Sequence, residues 1–173
     1  ASYRIEKAPS MTASENPEPS RRYRLALPIV LFTILIDFLG LSILIPVLPI
    51  YAETLGASRT EIGLLFAVYA LAQLFFIPAW GALSDRIGRR PVILISLVGI
   101  LCAFLMLAAA DTLALLILAR LLGGIFAANI STAQAIMTDL TPPEARSKAM
   151  GWIGATIGLA FVIGPALGGI LAT

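Results

Sequence analysis

Residues 81–94 read GALSDRIGRRPVIL, and Asp85, Arg86, Arg89 and Arg90 place four charges within six residues of it. The segments on either side, 62–80 and 91–110, carry no charge at all. Each is close to 20 residues, which as a helix rising ~1.5 Å per residue crosses a ~30 Å hydrocarbon core. The charged stretch is therefore a connection between two membrane spans, and it sets the fold class: an all-α, polytopic membrane protein. Lipid leaves no backbone group unpaired, and these apolar runs are too long and too unalternating for barrel strands.

Reading outward, the same pattern recurs. The chain has 173 residues, 59% hydrophobic and 13% charged, against roughly 25% charged in a soluble domain. Five transmembrane helices are expected, at about 25–49, 62–80, 91–110, 113–136 and 149–172. They form one incomplete helix bundle over 25–173, after a Pro/Ser/Glu-rich tail, 1–24, expected to be disordered. That tail is no signal peptide, because the run after it is of full membrane length and lacks a small-residue cleavage site. Met11 is a candidate true start.

The formal charge of +2 suggests no nucleic-acid partner. The single cysteine, Cys102, excludes an intrachain disulfide, and with no histidine there is no imidazole to carry protons or bind metal. No metal-ligand cluster, phosphate-binding loop or nucleophile–base set is present, so an enzyme is not expected and no cofactor is implied.

Orientation follows from Lys and Arg placement. Arg21, Arg22, Arg24, Arg86, Arg89, Arg90, Arg146 and Lys148 fall on one side, and only Arg59 on the other. The N-terminus and residues 81–94 are thus expected in the cytoplasm, in a plasma (bacterial inner) membrane.

Two ionisable residues lie inside spans, Asp37 and Arg120. Each costs about 2.5–3.5 kcal/mol at a helix centre and needs compensation. Asp37 lies roughly 18 Å up span 1 and Arg120 roughly 10 Å down span 4. In a ~30 Å core both then sit about 10–12 Å below the outer surface, close enough to pair. Asp37 either serves only to compensate Arg120 or is a protonatable group coupled to substrate or proton movement. Burial and a neighbouring arginine act on its ionisation in opposite directions. Arg120 stays charged and acts electrostatically.

On a helical wheel Ser131 and Gln134 follow Arg120, Thr33 precedes Asp37 by one turn, and Tyr69 and Gln73 lie one turn apart in span 2. Singly, each is as well explained by hydrogen bonding between helices. Together they suggest a polar cavity lined by spans 1, 2 and 4. In span 5, Gly151, Gly154, Gly158, Pro165 and Gly169 form one stripe that lets another helix approach, and Pro165 can kink the span.

Several of these stretches resemble the major facilitator superfamily. Gly81, Asp85, Arg86, Gly88, Arg89 and Arg90 match its signature loop between helices 2 and 3. GLSILIPVLP (40–49) is similar to the end of helix 1 in its twelve-helix drug:proton antiporters. ARLLGGIFAA (119–128) is similar to their helix 4 pattern, with Gly123 in place of the usual Gln and Phe126 in place of a small residue. GPALGG (164–169), with Gly154 upstream, resembles their helix 5 antiporter motif. LIDFLGLSILIPVLP (35–49) looks especially like tetracycline-resistance efflux proteins.

The resemblance implies a secondary transporter, driven by the proton gradient without a cofactor, that exports small amphipathic drugs such as tetracycline-like compounds. Its partners would be a small-molecule substrate, protons and the lipid bilayer. Asp37 and Arg120 would handle proton coupling or substrate, and Asp85 would latch the cytoplasmic side with Arg86 or Arg89 and Asp139. Gly81 and Gly88 would permit the tight turn of that loop. Gly154, Gly158, Gly164, Pro165, Gly168 and Gly169 would pack against a helix of a second half. Family members have two six-helix halves; with five spans this chain is expected to be a truncated N-terminal portion lacking the C-terminal half. A metabolite carrier for a sugar or organic acid, or a partial bundle that does not transport, are the alternatives.

Overall fold

A computed structural model describes residues 21–127 and 129–171. Among these there are only helices, turns and one short 3-10 segment: α1 (Arg21–Thr54), α2 (Arg59–Ile87), α3 (Arg89–Ala108), α4 (Leu113–Phe126), α5 (Asn129–Leu140) and α6 (Arg146–Leu171). α4 and α5 together make one span, so five spans are long and apolar enough to cross a membrane. Much of the large hydrophobic surface points outward, with Phe75, Val162 and Ile170 each more than 70% exposed. That distribution suits a bundle whose solvent is lipid rather than water.

The helix ends obey local chemistry. α1 stops in a Schellman arrangement: Gly56 sits at φ +80°, Ala57 N–H donates to Ala52 O at 3.0 Å and Gly56 N–H to Glu53 O at 3.0 Å. α2 starts with a capping box in which the Ser58 hydroxyl accepts from Glu61 N–H and the Glu61 carboxylate accepts from Ser58 N–H at 2.8 Å. Thr112 caps α4 by accepting from Leu115 N–H.

Several boundaries differ from the sequence reading: among them, α1 runs on to Thr54 rather than 49, and α6 starts at Arg146 rather than 149. Residues 21–24, expected in the disordered tail, are the first turn of α1, and residues 1–20 lie outside the described residues. α2 does not end at Trp80 but continues to Ile87, so Gly81 is inside a helix and only Gly88, at φ +94°, makes the turn. The last two turns of α2, GALSDRI, hold no proline, so nothing in their chemistry stops the helix before Gly88, where φ turns positive.

The fourth span is not one helix. α4 ends at Phe126, where Ala127 turns at ψ 52°. The carbonyls this frees find partners on neighbouring helices: Trp80 Nε1 donates to Ile125 O, and Ser96 Oγ donates to Phe126 O. Interrupted backbone at membrane depth requires such internal partners. The Phe126 ring lies over Gly99 of α3, where a side-chain carbon would collide with it, and stacks at 5.7 Å on Trp80.

Two apolar cores hold the spans at opposite ends. At the arginine-rich end, Val30 and Ile34 of α1 meet Ala133 and Met137 of α5 and Ala149 and Ile153 of α6. At the other end, Leu48 and Ala52 of α1, Leu65 of α2, Leu107 of α3 and Leu116 and Ala119 of α4 come together. α1 packs chiefly on α6, while α2 and α3 pack chiefly on α4. The α1–α6 seam is tight because two glycines leave room for it. An added Cβ at Gly164 would fall on the Ser42 side chain, and one at Gly168 would lie 2.8 Å from Pro46 Cγ. Ser42, fully buried, donates across the seam to Ala160 O at 2.8 Å.

Candidate functional site

Between the two cores the bundle holds a small, partly open pocket of about 30 Å³. Asp37 and Leu41 line it from α1, Tyr69 from α2, Ile100 and Phe104 from α3, and Arg120 from α4. The lining thus carries a carboxylate from α1 and a guanidinium from α4, and the rest is glycine, aliphatic or aromatic.

Arg120 is 5% exposed, and its Nε is buried without a hydrogen-bond partner. Ring faces lie beside its charge: the guanidinium carbon is 4.4 Å from the Tyr69 centroid and 5.8 Å from that of Phe66. A desolvated cation–π contact is worth about 2 kcal/mol, the same order as the cost of placing an arginine at this depth. Tyr69 is within electrostatic reach of both Asp37 and Arg120.

The pocket differs from the cavity expected from the wheel. α3 supplies a wall, and Thr33, Gln73, Ser131 and Gln134 are not in the lining. Thr33 spends its hydroxyl hydrogen within its own helix, on Ile29 O at 2.9 Å. Ser131 and Gln134 lie in α5, beyond the break, so a wheel projected from Arg120 through a continuous helix misplaces them; Gln134 is exposed. Gln73 is half-buried one turn beyond Tyr69 on α2.

At the arginine-rich end a second cluster forms around Arg89. Its Nη1 lies 2.7 Å from Asp85 Oδ1 and donates to Ser84 Oγ, and its Nε lies 3.3 Å from Asp139 Oδ2. One guanidinium therefore ties α2, α3 and α5 together. Arg86 and Arg90 are exposed. Ser84 was missed in the sequence; its only signal is a small polar residue preceding Asp85, and it is 2% exposed.

The glycines of α6 divide into two sets. Gly164 and Gly168 pack on α1, not on a helix of another half, because they lie well round the helix from the Gly151–Gly158 stripe. Gly151, Gly154, Gly158 and Gly169 have nothing within 4 Å of an added Cβ. Pro165 is half-buried between the two faces.

The Major Facilitator Superfamily profile matches residues 30–173. The chain belongs to the major facilitator superfamily. Among its relatives, the class B tetracycline resistance protein of Escherichia coli is 42% identical over 144 residues, 82% of this chain and 36% of that protein. The class H tetracycline resistance protein of Pasteurella multocida is 36% identical over 146 residues, 83% of this chain and 36% of that protein. The quinolone resistance protein NorA of Staphylococcus aureus is 33% identical over 145 residues, 83% of this chain and 37% of that protein. The chain spans little more than a third of the length of each. Membership of this transporter family and five apolar spans make it an integral membrane protein.

Proposed function

We propose that the complete gene product is a proton-coupled exporter of small amphipathic drugs of the tetracycline type, with its N-terminus in the cytoplasm of a bacterial inner membrane. The observation that carries this reading is a carboxylate and a permanently charged guanidinium on the wall of one otherwise apolar pocket. Asp37 is the group that exchanges the proton. Arg120 keeps a positive charge in the pocket when Asp37 is neutral, so that protonation alters the field acting on a bound drug. The apolar wall, with Phe104 and Leu41, suits a flat, largely hydrophobic substrate. The proton gradient supplies the energy and no cofactor takes part. Relatives named for resistance to two different drug classes support an antibiotic substrate over a sugar or organic acid.

The Arg89 cluster is a latch on the cytoplasmic face. The open glycine face of α6 is where a second bundle, equivalent to the rest of the relatives' length, would seat a helix. Alternating access needs such a bundle to rock against.

The test is tetracycline accumulation in everted membrane vesicles energised by an inward-acid pH gradient, using the complete gene product. The expected result is gradient-dependent accumulation that Asp37→Asn abolishes. Accumulation of a sugar or organic acid instead, or drug accumulation unchanged in Asp37→Asn, would reject the assignment.

A further inference from the structure

We propose that Tyr69 is the positioning residue of the pocket: its ring is a shelf that holds the Arg120 guanidinium in place, and Gly124 is the notch that lets α2 bring the ring there. The guanidinium carbon lies 4.4 Å from the Tyr69 centroid, well inside the ~6 Å reach of a cation–π contact. Phe66, one turn earlier on α2, is at the limit of that reach, at 5.8 Å. Arg120 is more than nine-tenths buried and its Nε has no hydrogen-bond partner. The Tyr69 ring face is thus the nearer of the two aromatic faces beside the charge.

The backbone around the ring explains how it comes to be there. A Cβ added to Gly124 would run into the Tyr69 carbonyl oxygen and lie 2.8 Å from Ala72 Cβ. At the adjacent Gly123, an added Cβ would make ordinary contacts, 3.6 Å from Tyr69 Cε2 and 3.6 Å from Ala103 Cβ. The two glycines are neighbours in sequence, yet only Gly124 sets how closely α2 approaches α4. Tyr69 thereby acts through Arg120 rather than on substrate. Its purpose rests on the transport reading above, but its geometry does not.

The experiment reads Arg120 directly. The complete gene product, in lipid nanodiscs, is treated with phenylglyoxal, and adduct formation at Arg120 is followed by peptide mass spectrometry with exposed Arg59 as the internal control. Tyr69→Phe, which keeps the ring, should leave Arg120 protected. Tyr69→Leu and Gly124→Ala should speed its modification by about tenfold or more, the scale of a lost desolvated cation–π contact, while Gly123→Ala changes it by less than about twofold. Arg59 corrects for reagent dose, and a variant whose thermal midpoint falls far below wild type has lost its fold; the Gly123 and Gly124 pair then decides the matter.

Unchanged protection in both Tyr69→Leu and Gly124→Ala, with Arg59 normal, would overturn the proposal. So would a Tyr69→Phe protein as reactive as Tyr69→Leu, because the hydroxyl and not the ring would then hold the charge. A wild-type protein that moves no drug would refute the transport reading while leaving this protection pattern in place.

Discussion

Arg89 and Arg120 carry the same side chain and are kept folded by opposite means. Arg89 is about a quarter exposed and faces two carboxylates and a serine hydroxyl, so its charge is matched by charge, in contact with water. Arg120 is buried among helices and leans on a tyrosine ring. The first arrangement contributes modestly to stability and is screened by salt. The second sits in lipid-depth protein, where the guanidinium is a cost that folding alone would not retain. The contrast sets a surface clasp against the buried guanidinium to which the proposed function gives a role in transport.

The largest expected effect breaks the buried side of this contrast. Arg120→Met keeps length and removes charge, so efflux should vanish while the thermal midpoint in detergent stays level or rises. A large fall in midpoint would mean that Arg120 is structural after all. Next comes the α1–α6 seam, which has no charge to confuse the reading. Gly164→Val should drive a side chain into Ser42 and the Ile43 backbone and destabilise by about 1–3 kcal/mol, as overpacking does. Gly158→Val, facing open space, should leave the midpoint of these five spans, tested alone, unchanged. If the two variants melt alike, the division of the α6 glycines into two faces is wrong.

The smallest effect belongs to the clasp. Arg89→Gln should lower stability by no more than about 1 kcal/mol, as for exposed ion pairs. The difference should shrink as salt is raised, because screening weakens the wild-type pairs. A loss that persists at high salt would show that the cluster is not governed by solvent-screened charge.

Much of the fold was legible in the sequence because lipid writes plain rules. Five apolar runs gave five spans, one of the two glycines expected at the turn (Gly88) makes it, and simple depth counting brought Asp37 and Arg120 to one level, where the pocket holds both. What was not legible depends on contacts between helices. The α3 wall of the pocket is Ile100, Ala103, Phe104 and Leu107, indistinguishable by type from lipid-facing neighbours such as Leu101 and Leu105. The break after Phe126 has no proline or glycine at 127 or 128 to announce it, and its carbonyls are satisfied by Trp80 and Ser96 from distant turns. The extent of α2 was misread because charge was taken for a loop, although a helix end in water accommodates charge well. Periodicity separated the two sets of α6 glycines but could not say which face meets α1.

The central claim is that Asp37 couples the proton to the drug rather than merely balancing Arg120. Its most direct test compares two assays on the same purified, reconstituted Asp37→Asn protein: tetracycline exchange between equal pools, and uphill tetracycline transport driven by a pH gradient. Asp37→Asn should retain exchange and lose uphill transport. Uphill transport at the wild-type rate in Asp37→Asn would contradict the account.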